Sequence, residues 1–158
     1  MRRFSFWNLF KRSSTAETVK ERRKRPRPKN GYDVTILVVD DSRTVIAAFN
    51  KVLTQAGFKV LTALSGEEGV KVAKAERPDL ILMDVVMPGI NGYQATRLLR
   101  QEPATSDVPI IIVSGEQQAT EEMWGKKVGA NGFISKPIDR GAFFARIFEC
   151  LGEDKLHA

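Results

Sequence analysis

Four apolar runs, each closed by a polar residue, constrain this chain more than any other feature. Val34-Thr35-Ile36-Leu37-Val38-Val39 ends at Asp40 and Asp41, and Leu80-Ile81-Leu82-Met83 ends at Asp84. Val108-Pro109-Ile110-Ile111-Ile112-Val113 ends at Ser114, and Gly132-Phe133-Ile134-Ser135 leads into Lys136 and Pro137. Continuous apolar runs of this length suit strands buried on both faces of a parallel sheet. The carboxyl ends of such strands share one edge, and ligands bind there. Asp40, Asp41, Asp84, Ser114 and Lys136 are therefore expected to converge, although they lie up to 96 positions apart.

The segments between the runs read as helices. Val45, Ile46, Phe49, Val52 and Leu53 follow helical spacing after Ser42 as N-cap, and Gly57 stops that helix after about Ala56. Phe58 to Ala63 reads as a further strand. Ser65 with Glu68 makes a capping box for a second helix that ends before Pro78. A third helix is expected from about Gly92 to Gln101 and a fourth from about Thr120 to Val128. The fifth is capped by Asp139 and ends near Leu151 and Gly152. The alternation is α/β, of (βα)5 form: a doubly wound, parallel five-stranded sheet with helices on both faces and expected strand order 2-1-3-4-5.

The chemistry of the five converging residues is coherent. Three carboxylates at one place repel each other unless a cation lies among them. An oxygen-only cluster suits a hard, octahedral ion such as Mg2+, which keeps several waters and bridges to phosphate. The lysine adds positive charge and the serine a hydroxyl donor. Together they make a cradle for a phosphoryl group on a carboxylate, where catalysis is mostly positioning and charge neutralisation. Taken singly, each piece has an ordinary structural reading: Asp-Asp-Ser as a helix cap, Asp-x-x-Met-Pro as a turn, Phe133 as core. The joint pattern, in order, does not.

Asp40-Asp41-Ser42, Asp84-Val85-Val86-Met87-Pro88-Gly89-Ile90-Asn91-Gly92, Ser114-Gly115 and Lys136-Pro137 together resemble the receiver domain of two-component response regulators, over about residues 33 to 152. The resemblance implies a flavodoxin-like fold and Asp84 as phosphoacceptor. It implies Mg2+ held by Asp40, Asp41 and Asp84 with the Val86 backbone carbonyl as a further ligand. Ser114 and Lys136 would contact phosphoryl oxygens, and Phe133 matches the family's switch aromatic. The implied donor is a histidine kinase or phosphotransfer domain. The implied output is a protein-docking surface of helix 4, strand 5 and helix 5, with a downstream protein target. More narrowly, Tyr93-Gln94-Ala95-Thr96-Arg97 and Trp124-Gly125-Lys126-Lys127 resemble the small receivers of type IV pilus twitching-motility systems, a chemotaxis-type signalling setting.

Charge divides the chain. Residues 1–31 carry eleven Lys/Arg against two Glu, a net of +9, while residues 32–158 are at −3. Any attraction to nucleic acid or membrane therefore belongs to the tail. Three organisational units are expected: a basic, aromatic-containing extension and linker at 1–31, the receiver-like domain at 32–152, and a C-terminal stub at 153–158. In residues 1–12 Phe4, Phe6, Trp7, Leu9 and Phe10 interleave with Arg2, Arg3, Lys11 and Arg12. That pattern suits a membrane surface, with apolar groups in the headgroup boundary and cations on anionic lipid. Partner docking and a plain solubilising tail are the alternatives, and nucleic acid is the least favoured. A short helix over Thr15–Arg25, capped by Ser14 with Glu17, would precede the Pro-containing linker. The segment lacks the continuous apolar region and cleavage site of a signal peptide. Single Cys150 fits a reducing cytoplasm. Localisation is thus read as cytoplasmic, peripheral at the inner face of the membrane if the tail binds lipid.

Only 22 residues follow Lys136, which leads to the expectation of a stand-alone receiver without a DNA-binding or enzymatic output domain. It is expected to be no enzyme beyond self-phosphorylation and autodephosphorylation. The rival reading is a Mg2+-dependent phosphatase with an aspartyl nucleophile. Haloacid-dehalogenase-type enzymes carry Asp-x-Asp-x-Thr after the first strand, whereas this chain reads Asp40-Asp41-Ser42-Arg43-Thr44. A nucleotide-binding protein would need a glycine-rich loop after the first strand, and none is there.

Overall fold

The computed structural model describes residues 10–11, 31–115 and 118–156. Five parallel strands form one sheet: β1 (Thr35–Val39), β2 (Lys59–Ala63), β3 (Leu80–Asp84), β4 (Ile110–Ser114) and β5 (Gly132–Ser135). Their order is β2-β1-β3-β4-β5, the 2-1-3-4-5 arrangement expected. The connecting helices are α1 (Arg43–Ala56), α2 (Gly66–Glu76), α3 (Gly92–Gln101), α4 (Gln118–Val128) and α5 (Arg140–Leu151), followed by a short α6 (Glu153–Leu156).

Alternation along the strands sorts the core into two layers. Ile36, Val38, Leu80, Leu82, Ile111 and Val113 face one side with Phe49 and Leu53 of α1 and Phe143 and Ile147 of α5. Leu37, Val39, Ile81, Met83, Ile110 and Ile112 face the other with Ala73 of α2 and Ala95 and Leu99 of α3. Every residue of β3 and β4 is buried, which is why those strands are apolar without alternation. The first layer is rich in rings. Phe49 and Phe143 lie 5.6 Å apart by centroid, and Tyr32 stacks on Phe58 at 4.8 Å.

Local sequence explains the helix ends. The Ser42 hydroxyl accepts from the Val45 amide at 3.3 Å, and Gly57 ends α1 with φ of 100°, a left-handed conformation that glycine adopts without strain. The cap of α2 differs from the expected box. Ser65 Oγ accepts from Glu68 N at 3.1 Å, but Glu68 Oε2 reaches past the cap to the Leu64 amide at 2.9 Å. A full capping box occurs instead at α3, between Asn91 and Gln94. Helix α4 begins two residues before the expected Thr120, and β2 one residue after Phe58.

Two features lie outside the (βα)5 pattern. Phe10–Lys11 pairs in parallel with Ile138–Asp139, forming a separate two-stranded ladder. Glu153–Leu156, expected as a stub, forms a helical turn whose Lys155 donates to Asp79 Oδ1 at 2.7 Å. The rest of segment 1–12 and the helix expected at Thr15–Arg25 lie outside the described residues. Among the described residues no helix is long and apolar enough to cross a membrane.

Candidate functional site

The carboxyl ends of β1, β3, β4 and β5 deliver their polar residues to one edge. Asp40 follows β1 and its Oδ1 accepts the Ser42 amide at 2.9 Å, so the turn into α1 also fixes the carboxylate. Asp84 ends β3 and Ser114 ends β4; Asp40, Asp84 and Ser114 are all buried. Lys136 follows β5, and its amide donates to the Ser114 carbonyl at 2.7 Å, coupling two site residues through the backbone. The Lys136–Pro137 peptide is cis. Lys136 Nζ lies 3.5 Å from Asp40 Oδ2 and 3.4 Å from Asp84 Oδ1. It bridges the two buried carboxylates loosely, through contacts longer than an ordinary charged hydrogen bond.

Burial is the main force on these acids. The Asp84 carboxyl is pushed up to about 7, first by desolvation and then by the Asp40 charge, with Lys136 opposing. Asp40 is raised as well, again by burial, against Lys136 and the Ser42 amide. One carboxylate oxygen each from Asp40, Asp41 and Asp84 falls within 4.8 Å of the others, and Asp41 is the exposed member. Three carboxylate oxygens at this spacing fit a hard divalent cation. Val86, two residues past Asp84, is 61% exposed on the loop beside them.

The loop after Asp84 is tied down at two points. Gly92 N donates to the Val85 carbonyl at 2.9 Å, and a Cβ on Gly92 would overlap the Asp84 carbonyl oxygen. Glycine is required there by close approach. Glu67 Oε1 accepts the Ile90 amide at 3.0 Å, which holds the Glu67 carboxyl below its usual range. An acid in the first turn of α2 was visible in the sequence, but its partner 23 residues on was not.

Phe133 is set apart from the carboxylates. It pairs with Ile112 across β4 and β5, is half-buried, and packs against the α2/α3 layer. It lines a cavity of about 310 Å³ with Gly125, Ala130 and Arg146, on the side of α4 that faces α5.

Comparison with known proteins follows the same lines. The response regulator receiver domain pattern matches residues 36–148. Protein PilH of Pseudomonas aeruginosa is 47% identical over 104 residues, covering 66% of this chain and 86% of that protein. Response regulator PleD of Caulobacter vibrioides is 35% identical over 112 residues, covering 71% of this chain but 25% of PleD. Among solved structures, Vibrio cholerae chemotaxis protein CheY4 superposes with a TM-score of 0.71 at 30% identity, covering 75% of this chain and 98% of that one. The phosphatase alternative finds no support in these relatives. A five-stranded sheet of order 2-1-3-4-5, an acidic edge joined by a lysine, and a family match across most of the chain place this protein in the response regulator receiver family.

Proposed function

We propose that Asp84 is the phosphoacceptor of this receiver and that Lys136, Ser114, Asp40 and Asp41 serve it. The observation that carries the reading is the placement of Asp84: buried at the carboxyl edge of the sheet, 3.4 Å from Lys136 Nζ, with an oxygen within 4.8 Å of those of Asp40 and Asp41. An Asp84 carboxylate oxygen attacks the phosphorus of a phosphohistidine on a kinase or phosphotransfer domain. The P–N bond breaks, its electron pair returns to the imidazole, and the acyl phosphate remains on Asp84. Lys136 offsets charge on the transferred oxygens, and the Ser114 hydroxyl donates to one of them. Mg2+, held by Asp40, Asp41, Asp84 and the Val86 carbonyl, supplies further neutralisation when bound. Phe133 responds by repacking. It lacks a hydroxyl, so the switch is a packing event that shifts a two-state population at the helix 4, strand 5 and helix 5 surface, here α4, β5 and α5.

Residues 32–152 form the signalling unit in this reading, and residues 1–31 a separate extension that addresses a membrane surface or a partner. The similarity to Protein PilH supports the narrower assignment to twitching-motility signalling. Acetyl phosphate with Mg2+ should load one phosphoryl group per chain, and EDTA should prevent it. Intact-mass spectrometry reads the stoichiometry, and hydrolysis of p-nitrophenyl phosphate should stay at background. Multiple turnover of that ester, or loading untouched by EDTA, would overturn the reading.

A further inference from the structure

The two segments that carry the narrower sequence resemblance, Tyr93–Arg97 and Trp124–Lys127, are 27 or more residues apart in the chain. In the structure they form opposite walls of one groove between α3 and α4. It is about 400 Å³, lined by Tyr93, Gln94 and Arg97 on one side and Trp124, Lys127 and Val128 on the other, with Asn91 at its end. Its lining residues are distinct from those of the cavity beside Phe133. The phosphorylation chemistry described above uses none of the groove residues.

The groove combines an apolar floor with two cations, Arg97 and Lys127. Trp124 is 48% exposed, and three of the four exposed large hydrophobic residues among those described, Leu98, Met123 and Trp124, belong to α3 and α4. Exposed apolar side chains gathered on one pair of helices mark an interaction surface more than scattered ones do. Lys127 Nζ lies over the Trp124 ring at 4.9 Å, and the lysine forms no ion pair among the described residues. The Arg97 side chain is exposed and makes no hydrogen bond or ion pair among them. Among the described residues no carboxylate lines the groove. The walls are held at both ends. Asn91 and Gln94 close the capping box at the start of α3. At its end Arg100 Nε donates to the Gly129 carbonyl, just past α4, at 2.9 Å.

We propose that this groove docks an acidic peptide segment of a partner protein, with one aromatic or long aliphatic side chain seated on Trp124 and Tyr93 and flanking carboxylates on Arg97 and Lys127. Charge selects the occupant. The chain's own extension carries a net +9 and is repelled by the same two cations, whereas an acidic segment satisfies both. Tryptophan, tyrosine and arginine are also the residue types that dominate interface energetics, and a guanidinium pairs a carboxylate through two parallel bonds.

The test uses the full-length protein and a phage-displayed library of random peptides, with selected sequences resynthesised and titrated by fluorescence anisotropy. Selected peptides should be enriched in Asp and Glu around a Trp, Phe or Leu, and their binding should shift the Trp124 indole resonance in NMR spectra. The double variant Arg97→Glu with Lys127→Glu should weaken them by about tenfold or more and should select basic peptides instead. Trp124→Ala should weaken them without changing charge preference. Both changes lie at exposed positions, and labelling by acetyl phosphate should be unchanged in both, which separates failure here from failure of the phosphoacceptor assignment. Selected peptides without acidic enrichment, or binding that the charge-reversed variant retains, would overturn the proposal. So would occupation of the groove by a second copy, seen as dimerisation that the same variants abolish.

Discussion

The ring-filled layer between the sheet and α1/α5 and the polar edge at the carboxyl ends of the same strands are built on opposite terms. In the first, Phe49, Leu53, Phe143 and Ile147 are buried to 2% exposure or less, and each large side chain sealed this way contributes about 1.5–3 kcal/mol. In the second, Asp40, Asp84 and Ser114 are almost as deeply buried, yet two of them are carboxylates sharing one loose lysine. Burial that stabilises the apolar layer destabilises the charged edge. The chain tolerates the edge because the layer beneath it supplies the stability. Burial first, and the Asp40 charge second, push the Asp84 carboxyl up to about 7.

The widest separation between the two regions should come from Phe143→Ala. Removing a fully buried ring from the α5 side should cost about 3–5 kcal/mol, read as a lower urea midpoint at an unchanged slope. The folded fraction should still label with acetyl phosphate at the wild-type rate. A matching loss in labelling rate would show that layer and edge are not separable.

A smaller effect of opposite sign belongs to the edge. The Asp84 carboxyl lies at about 7 when folded and near 3.8 when unfolded. Between those values the folded chain keeps a proton that the unfolded chain has released. Stability should therefore fall as pH rises from about 4 to about 7, then level off, by about 2 kcal/mol once partial solvent contact is allowed for. Asp40, also raised, acts in the same direction. Asp84→Asn should flatten the slope and raise stability at pH 8. Urea midpoints across pH for the two proteins check this, and parallel curves would remove Asp84 as the source.

The smallest effect concerns the extension. A chain beginning at Tyr32 loses the two-residue pairing of Phe10–Lys11 with Ile138–Asp139, two residues past Lys136. Surface changes of this size are worth about 0.5 kcal/mol or less, so stability and labelling rate should both stay near those of the full chain. Anionic-liposome binding at low salt should fall instead. A large drop in labelling would make that short ladder part of the site's support.

What the sequence made legible follows the range of the interactions involved. The strands, the caps at Ser42 and Asp139, the stop at Gly57 and the bounds of α3 all depend on neighbours within a turn or a pleat. The convergence of Asp40, Asp84, Ser114 and Lys136 was readable because parallel strands share a carboxyl edge whatever their spacing. Glu67 bonding to Ile90, Arg100 reaching Gly129, and Lys155 pairing with Asp79 were not readable. Each joins segments through side-chain reach, and no local pattern encodes the partner. The same holds for the groove, whose walls were visible as two short segments but not as one surface. Glu68 accepts the Leu64 amide, one residue before the cap, in place of the cap residue's own.

Phosphoryl transfer is expected at the buried Asp84 carboxyl that ends β3. Labelling of wild type and Asp84→Asn by acetyl phosphate with Mg2+, followed by intact-mass spectrometry, tests it most directly. One phosphoryl group is expected on the wild type and none on the variant, with the variant folded and more stable at pH 8. Undiminished labelling of the folded variant would contradict it.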